Sequence, residues 1–291
     1  MSLEKKFAAK EFVILAEMDP PKGTDVSLMV DNALRVKNKV DAYVVPEMGN
    51  AVMRMSALGA AMILQNKGMK TVMQVCCRDR NRLALQADLL AAGACGVETV
   101  MAVHGEAPSY GDHHQARSVY DLDLMDLFRT IKILQSGKDM AGVDLNGSPE
   151  FLVGATVNAG ARDTALDLEI EDMRRKIDAG VRFFILPPIF ALNAIEPFLS
   201  KAAGLETCLV PTVLLLKSLG MARYIARHLP DAYLSDSLFK QIQSAPDKTQ
   251  ECLRIASEAV ALVKREGFSG VMLSTMGWED KISDILGRIG R

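Results

Sequence analysis

The carboxylate best placed for chemistry in this sequence is Glu17. It ends an apolar run, FVILAE at 12–17, and the turn that follows contains Asp19, Pro20 and Pro21. A rigid turn of this kind would hold the carboxyl at the end of a buried strand. Loss of water there raises the pKa of a carboxyl group and lets it act as a general acid near neutral pH. A carboxylate that caps a helix or faces solvent is the alternative interpretation.

A glycine between two polar side chains begins the segment HGEAPSYGDHH at 104–114. Gly105 would let the backbone come close to a ligand, with His104 and Glu106 on either side. The histidines and acids of this segment lack the H-x-x-x-H or H-E-x-x-H spacing of helical metal sites. We therefore expect no bound metal and interpret the histidines as solvated loop residues.

The segment CCRDRNR at 76–82 joins an apolar run to a helical pattern. Its arginines could bind phosphate groups at a helix N-terminus, or could form a salt-bridged helix start with Asp79. Cys76 and Cys77 would face opposite sides of a strand, which argues against a catalytic pair of thiols. Lys217, after another apolar run, could form a Schiff base, although a surface lysine at a helix start is the simpler interpretation.

The composition limits the classes of function. The chain has 291 residues and a formal charge of −2, which gives no basic excess for a nucleic-acid backbone or an anionic membrane. The five cysteines are odd in number and lack C-x-x-C spacing, so we expect a reducing, cytoplasmic environment. Cys95, Cys208 and Cys252 are expected to pack in the core or between helices. Glu17 and Pro20 break the first apolar run, and we expect neither a signal peptide nor a membrane span there.

Eight short apolar runs recur along the chain with helical patterns between them, which is typical of parallel βα units. The runs are continuously apolar, as strands buried on both faces should be. They are FVILAE (12–17), AYVVP (42–46), TVMQVCC (71–77), ETVMAVHG (98–105), FLVGATVN (151–158), RFFILPP (182–188), CLVPTVLLL (208–216) and GVMLST (270–275).

The helical patterns lie at about 25–37, 51–67, 80–94, 121–135, 164–179, 190–203, 217–229, 248–266 and 279–289. Eight strand–helix pairs, with no change of composition and no linker, predict an α/β fold. We expect a single (β/α)8 TIM barrel domain formed by residues 1–291. An open doubly wound sheet is the alternative, but no G-x-G-x-x-G follows the first strand.

Functional residues of such a barrel lie where the strands end. The insert at 106–120 would therefore lie on the functional rim, the insert at 136–150 at the opposite end, and 230–247 would be a long loop within the seventh crossover. The strand ends would bring together Glu17, Pro46, Glu47, Cys77, Arg78, Asp79, His104, Gly105, Glu106, Asn158, Pro187, Pro188, Lys217 and Thr275.

The sequence resembles the short bacterial form of the methylenetetrahydrofolate reductase family along nearly its whole length. The family's (β/α)8 barrel agrees with the strand count. Nine segments carry the resemblance, in order: AEMDPPKGTD (16–25), AVMRMSALGAA (51–61), CRDRNRLALQADLLAAGACGV (77–97), GEAPSYGDHHQA (105–116) with VYDLDLMDL (119–127), VGATVNAGA (153–161), LDLEIEDMRRKIDAG (166–180), LLLKSLGMARYI (214–225) and GVMLSTMGWED (270–280).

The resemblance implies FAD-dependent reduction of methylenetetrahydrofolate to its methyl form, in one-carbon metabolism. Glu17 stands at the glutamate of the family's E-x-x-P-P motif, which implies the role of general acid. Glu106 stands at the aspartate of the G-D-x-P motif, which implies a contact to the pterin and electrostatic stabilisation of a cation. The implied flavin-binding positions are Pro46, Gln74, Cys76, Arg78, His104, Gly105, Glu169 and Lys176.

Three positions depart from the family's pattern. Pro46 replaces a threonine, Glu106 replaces an aspartate, and Leu186-Pro187 replaces a Thr-Gln pair. Pro187, at the substrate-binding position, cannot supply the hydrogen bonds of a glutamine amide, a loss of ~1–3 kcal/mol. A related one-carbon carrier is therefore an alternative substrate. A flavin-free or inactive barrel subunit that binds a one-carbon carrier within a larger complex is the alternative function.

The resemblance also has implications for partners. The substrate is expected to be a small pterin. Short bacterial forms of the family often take electrons from a partner protein, so such a partner is possible here. The oligomeric state stays open.

Overall fold

A computed structural model describes residues 1–291, with every side chain except that of Pro230. Its eight parallel strands form a closed barrel in sequence order, with β8 paired to β1. The predicted (β/α)8 TIM barrel is confirmed. The strands are β1 (Val13–Glu17), β2 (Ala42–Val45), β3 (Thr71–Cys76), β4 (Thr99–Val103), β5 (Leu152–Thr156), β6 (Phe183–Pro188), β7 (Cys208–Leu214) and β8 (Gly270–Ser274).

Helices alternate with the strands. No helix among the described residues combines the length and the apolar character needed to cross a membrane. The helices are α1 (Leu3–Ala8), α2 (Ser27–Val36), α3 (Ala57–Asn66), α4 (Arg82–Ala94), α5 (Leu124–Gln135), α6 (Asp163–Asp178), α7 (Glu196–Ala202), α8 (Leu219–His228), α9 (Asp236–Ser244), α10 (Lys248–Arg265) and α11 (Ile282–Arg288).

The barrel interior is a separate apolar cluster, because successive residues of a strand face opposite sides of the sheet. Its members include Leu15, Val44 and Val72, while the alternate strand residues pack outward against the helices. At Gly154 an added Cβ would lie 2.2 Å from the ring of Phe183, so the missing side chain makes room for that ring. The interior is therefore filled by side chains and is not a channel.

Helix α1 covers the end of the barrel opposite to the strand ends that carry the polar residues. Leu3 is buried in the interior cluster, and the ring of Phe7 stacks on Phe183 with 5.7 Å between the ring centres. The sequence does not predict this helix, because its six residues, LEKKFA, have only two large apolar side chains.

Other element predictions were wrong in detail. Helix α3 begins at Ala57 and not at 51, because Met48, Asn50 and Ala51 have positive φ and Ser56 then caps the helix. Helix α7 begins at Glu196, after a 3₁₀ turn at Leu192–Ile195. The segment 230–247 is not only a loop, since it contains α9.

The prediction that all of the last three cysteines are packed inside was also wrong for one of them. Cys95 is exposed, because it lies just beyond the last residue of α4. Cys252 is buried and Cys208 is half-buried.

Candidate active site

The strand ends open into two adjoining cavities that share Gln74 and Thr156. The first, called here the polar cavity, has a volume of about 460 Å³ and is lined by Glu17, Pro46, Glu47, Gly49, Asn50, Gln74, Val103, His104, Gly105, Glu106 and Thr156. The second, the apolar cavity, has a volume of about 570 Å³ and a wall of Met101, Ile185, Leu186, Pro187, Pro188, Leu229, Ala232 and Met272, with Asn158, Thr212 and Ser274 among its polar members.

Glu17 is the last residue of β1 and lies half-buried in the polar cavity. Its Oε2 accepts a hydrogen bond from the hydroxyl of Ser274, the last residue of the neighbouring strand β8. Burial raises the pKa of the Glu17 carboxyl to about 7, and the negative charges of Asp19 and Glu279 act in the same direction. The Ser274 hydrogen bond acts in the opposite direction. This carboxyl can therefore carry a proton near neutral pH.

The other charged groups on this side of the mouth lie in the four loops that follow β1, β2, β7 and β8. Burial raises the pKa of Asp19, while Arg54 and Lys217 lower it. Burial likewise raises the pKa of Glu279, in addition to the charge of Asp19. Arg54 Nη2 lies 3.6 Å from Asp19 Oδ2 and so partly neutralises this acidic group.

Lys217 does not line either cavity in the barrel mouth. Its ammonium group donates to the carbonyl of Met276 and lies 5.2 Å from the ring centre of Trp278. The ammonium is thus occupied by contacts in the loop after β8, which favours a structural role over a Schiff base.

The backbone at Gly105 passes very close to the end of β3. Gly105 has φ +87°, and an added Cβ would lie 2.4 Å from Cys76 Sγ. The Cys76 thiol donates to the carbonyl of His104, and burial raises its pKa to about 11. Cys76 is therefore a neutral packing residue beside Gly105 and not a nucleophile.

Arg78 joins the loops that form the wall of the polar cavity. Its side chain is 2% exposed and donates to the Asp79 carboxylate, to Glu106 O at 3.0 Å and to Met48 O at 3.4 Å. Its own carbonyl accepts from Val119 N. Arg78 does not line the polar cavity. Its hydrogen bonds hold together the loops after β2 and β4, which surround that cavity.

Gln74 lies between the two cavities. Its Oε1 accepts from Glu47 N at 3.2 Å, and no described residue accepts from its NH2 group. The carboxylate of Glu47 is held by Ala57 N at 2.7 Å and by Arg80 Nη1 at 3.0 Å. The amide NH2 of Gln74 is therefore available to a ligand in either cavity.

Glu169 and Lys176, both on α6, lie behind the end of β5 and outside both cavities. Lys176 is buried, and its Nζ donates to Thr156 O at 3.0 Å and pairs with Asp172 at 2.7 Å. Glu169 Oε2 accepts from Asn158 N at 3.0 Å. In this structure both side chains hold the strand end that carries Thr156 and Asn158.

The apolar cavity owes its wall to an irregularity in β6. The register with β7 shifts between Leu186 and Pro188, where neither Pro187 nor Pro188 has an N–H to donate to the ladder. Ile189 N donates to Thr212 O at 3.1 Å beyond the shift, and the Thr212 hydroxyl donates to Leu186 O at 2.6 Å, so the two strands stay joined there. Pro187 itself borders the cavity as an apolar surface.

The acidic and histidine-rich part of the segment 104–114 faces neighbouring loops. Asp112 pairs with Lys22 and His113 and accepts from Met53 N at 2.9 Å, and the Lys22 and His113 contacts lower its pKa. His114 contacts Ser109 O. Among the described residues no group of three His, Cys, Asp or Glu side chains is arranged to hold a metal ion.

A larger cavity of about 800 Å³ lies outside the barrel, against α10 and the end of the chain. Its Arg254 is already paired with Glu251 and Glu258, and it contains no strand-end residue. The barrel mouth, where two cavities adjoin and the Glu17 carboxyl with its raised pKa lines one of them, is therefore the better candidate site.

The comparison with known families agrees with this geometry. The sequence profile of the methylenetetrahydrofolate reductase family matches residues 2–290. The chain belongs to this family. No curated protein gives a significant match to the chain.

Membership of the methylenetetrahydrofolate reductase family confirms the resemblance carried by the nine segments. It supports an oxidoreductase-type enzyme and a folate-type small-molecule substrate. Members of the family generally use FAD.

Most of the positions that the resemblance singled out lie together. Glu17, Pro46, Gln74, His104, Gly105 and Glu106 line the polar cavity, and Pro187 lines the apolar cavity together with Gln74. Cys76, Arg78, Glu169 and Lys176 lie behind these surfaces. Ser274 and Thr156 were not among the predicted site residues. Their place at strand ends was the only signal that could have identified them.

Proposed function

We propose that this protein is an FAD-dependent reductase that converts a methylene-tetrahydropterin, similar to methylenetetrahydrofolate, to the methyl form. The observation that carries the proposal is the half-buried Glu17 carboxyl in the barrel mouth, with a pKa near 7, in a chain of the methylenetetrahydrofolate reductase family. About half of the Glu17 carboxyls keep their proton at pH 7, where exposed glutamates are ionised, and acid catalysis on a weakly basic nitrogen requires such a proton.

The residues of the mouth fit a flavin. A flavin ring has a hydrogen-bonding end and an apolar end, and the polar and apolar cavities meet at Gln74 and Thr156. Their volumes of about 460 and 570 Å³ lie within the usual range for small-molecule sites. The Gly105 backbone, which approaches β3 without a side chain, and the NH2 group of Gln74 are suitable contacts for the ring.

The residues that we propose to hold FAD are Gln74, His104 and Gly105, with Pro46 as an apolar edge. Cys76 and Arg78 would act indirectly, by supporting Gly105 and the loop that follows it. Glu169 and Lys176 would act by fixing the end of β5. Bound FAD would supply the hydride.

In the proposed mechanism Glu17 donates its proton to a ring nitrogen of the carrier and opens the five-membered ring to an iminium cation. Glu106, at the edge of the same cavity, would face the cation and stabilise it through its negative charge. Its side chain is 55% exposed and lies 3.9 Å from the Arg78 guanidinium, so it is held loosely before a substrate binds. Pro187 would contact the carrier by packing alone.

The remaining proposals concern the setting of the enzyme. We propose that residues 1–291 act as one domain in the cytoplasm, without a resident metal ion. A partner protein that delivers electrons is part of the same proposal, and the chain could function as an oligomer. Neither a nucleic acid nor a membrane is proposed as a partner.

The first test is the visible absorbance spectrum of the purified protein, followed by release and identification of any flavin. We expect close to one FAD per chain. A colourless protein that also fails to bind added FAD would favour the alternative, a flavin-free barrel subunit, since Pro46 and Pro187 both remove side-chain hydrogen bonds from the mouth.

The second test is the variant Glu17→Gln, which keeps the shape of the side chain but has no acidic proton. We expect reduction of the methylene carrier to fall by at least ~100-fold, the usual contribution of a general acid, while bound FAD and its chemical reduction stay unchanged. Full turnover in this variant would contradict the assignment of Glu17.

A further inference from the structure

The Glu17 carboxyl has one oxygen committed within the protein. Its Oε2 accepts a hydrogen bond from the Ser274 hydroxyl. This hydrogen bond joins β8 to β1, the two strands whose pairing closes the barrel. Ser274 is 7% exposed and lines the apolar cavity, whereas Glu17 lines the polar cavity. The hydrogen bond therefore spans the place where the two cavities meet.

We propose that Ser274 is a positioning residue that fixes the Glu17 carboxyl in one orientation, with Oε2 held by the barrel and Oε1 left to deliver the proton. This inference rests on the proposed function and assigns the proton to one oxygen atom. Because a serine hydroxyl has a single proton to donate, the protonated form that keeps this bond carries its own proton on Oε1.

The transfer is balanced within these groups. The O–H bond at Glu17 Oε1 breaks, an N–H bond forms on the carrier, and the bonding electron pair stays on the carboxylate. The Ser274 hydroxyl then donates to a charged acceptor, and such hydrogen bonds are roughly twice as strong as neutral ones. Ser274 would thus favour the product side of the proton transfer.

The surrounding charges cannot replace this contact. Asp19 and Glu279 both disfavour the carboxylate form of Glu17. Arg54 and Lys217 act on Asp19. Across the polar cavity lie His104, Glu106 and Glu47, the last of these paired with Arg80. Of the described residues, Ser274 is the one that donates a side-chain hydrogen bond to Glu17.

The experiment compares Ser274→Ala with Ser274→Thr, which retains the hydroxyl. The pH profile of carrier reduction is measured together with the titration of the Glu17 carboxyl by ¹³C NMR in glutamate-labelled protein. The Glu17 signal is assigned by its absence in Glu17→Gln. In Ser274→Ala we expect the midpoint of Glu17 to rise from about 7 by roughly one pH unit, and reduction to slow by about tenfold. Ser274→Thr should restore both quantities at least in part.

The control is Ser257→Ala, a similarly buried serine on α10 whose hydroxyl donates to Leu253 O, far from the mouth. It should leave the Glu17 midpoint and the pH profile unchanged. If Ser274→Ala does not fold, Ser274→Cys makes the same test with a weaker donor.

The outcomes separate the two proposals. An unchanged Glu17 midpoint in Ser274→Ala would overturn the role of Ser274, even if Glu17→Gln abolishes reduction. The midpoint of Glu17 could instead shift in Ser274→Ala while neither Glu17→Gln nor Ser274→Ala changes the rate of reduction. That result would confirm the hydrogen bond from Ser274 but overturn the role of Glu17 as general acid. The catalytic part of this inference would be overturned with it.

Discussion

Glu17 illustrates a conflict between function and stability within one side chain. The carboxyl stays protonated near pH 7 because the barrel mouth disfavours its charge. The same disfavoured charge must weaken the folded state whenever the group is ionised. A site built to hold a proton should therefore make the fold less stable at alkaline pH.

The variant Glu17→Gln should stabilise the protein at pH 8 and not at pH 4. The pKa of Glu17 is about 7 in the folded protein and 4.5 as an ordinary glutamate. Since the folded value is raised, the stability from this site is fully present below pH 4.5 and is lost as the pH rises through 7. Glutamine is neutral at every pH, so we expect a gain of ~3 kcal/mol in the free energy of unfolding at pH 8, measured by urea denaturation.

The matched control is Glu47→Gln. Glu47 is as close to the mouth and more deeply buried, but its carboxylate is bound by Arg80 and by Ala57 N. Removing that charge should destabilise the protein at pH 8. A loss of stability at pH 8 in Glu17→Gln as well would mean that the Glu17 carboxylate is better solvated than its position indicates.

At the level of secondary structure, the strands were predictable and the loops were not. Continuous apolar runs marked all eight strands because each is buried on both faces, between the filled interior and the helices. The six-residue helix α1 escaped prediction because it has only two large apolar side chains, and α9 did so although Leu238 and Ile242 give it a buried face, since it is only nine residues long. The contact of Ser274 with Glu17 joins residues at opposite ends of the chain, and it follows only from closure of the barrel.

The loops that form the polar cavity depend on Arg78, so Arg78→Met should loosen them. The substitution removes a buried guanidinium and leaves the Asp79 carboxylate and the carbonyls of Glu106 and Met48 without this donor. We expect a loss of ~3 kcal/mol in the free energy of unfolding and faster proteolysis within 104–119.

The control for this prediction is Arg82→Met. Arg82 also makes several hydrogen bonds to one acid, Asp121, but its side chain is 50% exposed. An exposed pair of this kind contributes less than about 1 kcal/mol. Equal losses in the two variants would show that burial of Arg78 is not what matters.

At the scale of the whole molecule, the barrel is stable because side chains fill its interior. Substitutions at Gly154 and Phe183, which are in contact there, test this explanation directly. An alanine Cβ at 154 would lie 2.2 to 2.6 Å from atoms of the Phe183 ring. Overpacking of this kind costs ~1–3 kcal/mol, so Gly154→Ala should lower the midpoint of urea unfolding. Phe183→Leu removes the ring and its stacking on Phe7, and should also be destabilising by itself.

The double variant Gly154→Ala with Phe183→Leu should lose less stability than the sum of the two single losses, because the leucine leaves space for the new methyl group. The control is Gly287→Ala in α11, where an added Cβ meets no atom within 4 Å. That helical substitution should stabilise the protein by ~0.5–1 kcal/mol. Strictly additive losses at 154 and 183 would mean that the two residues do not compete for the same space, and the interior would then have to be filled in another way.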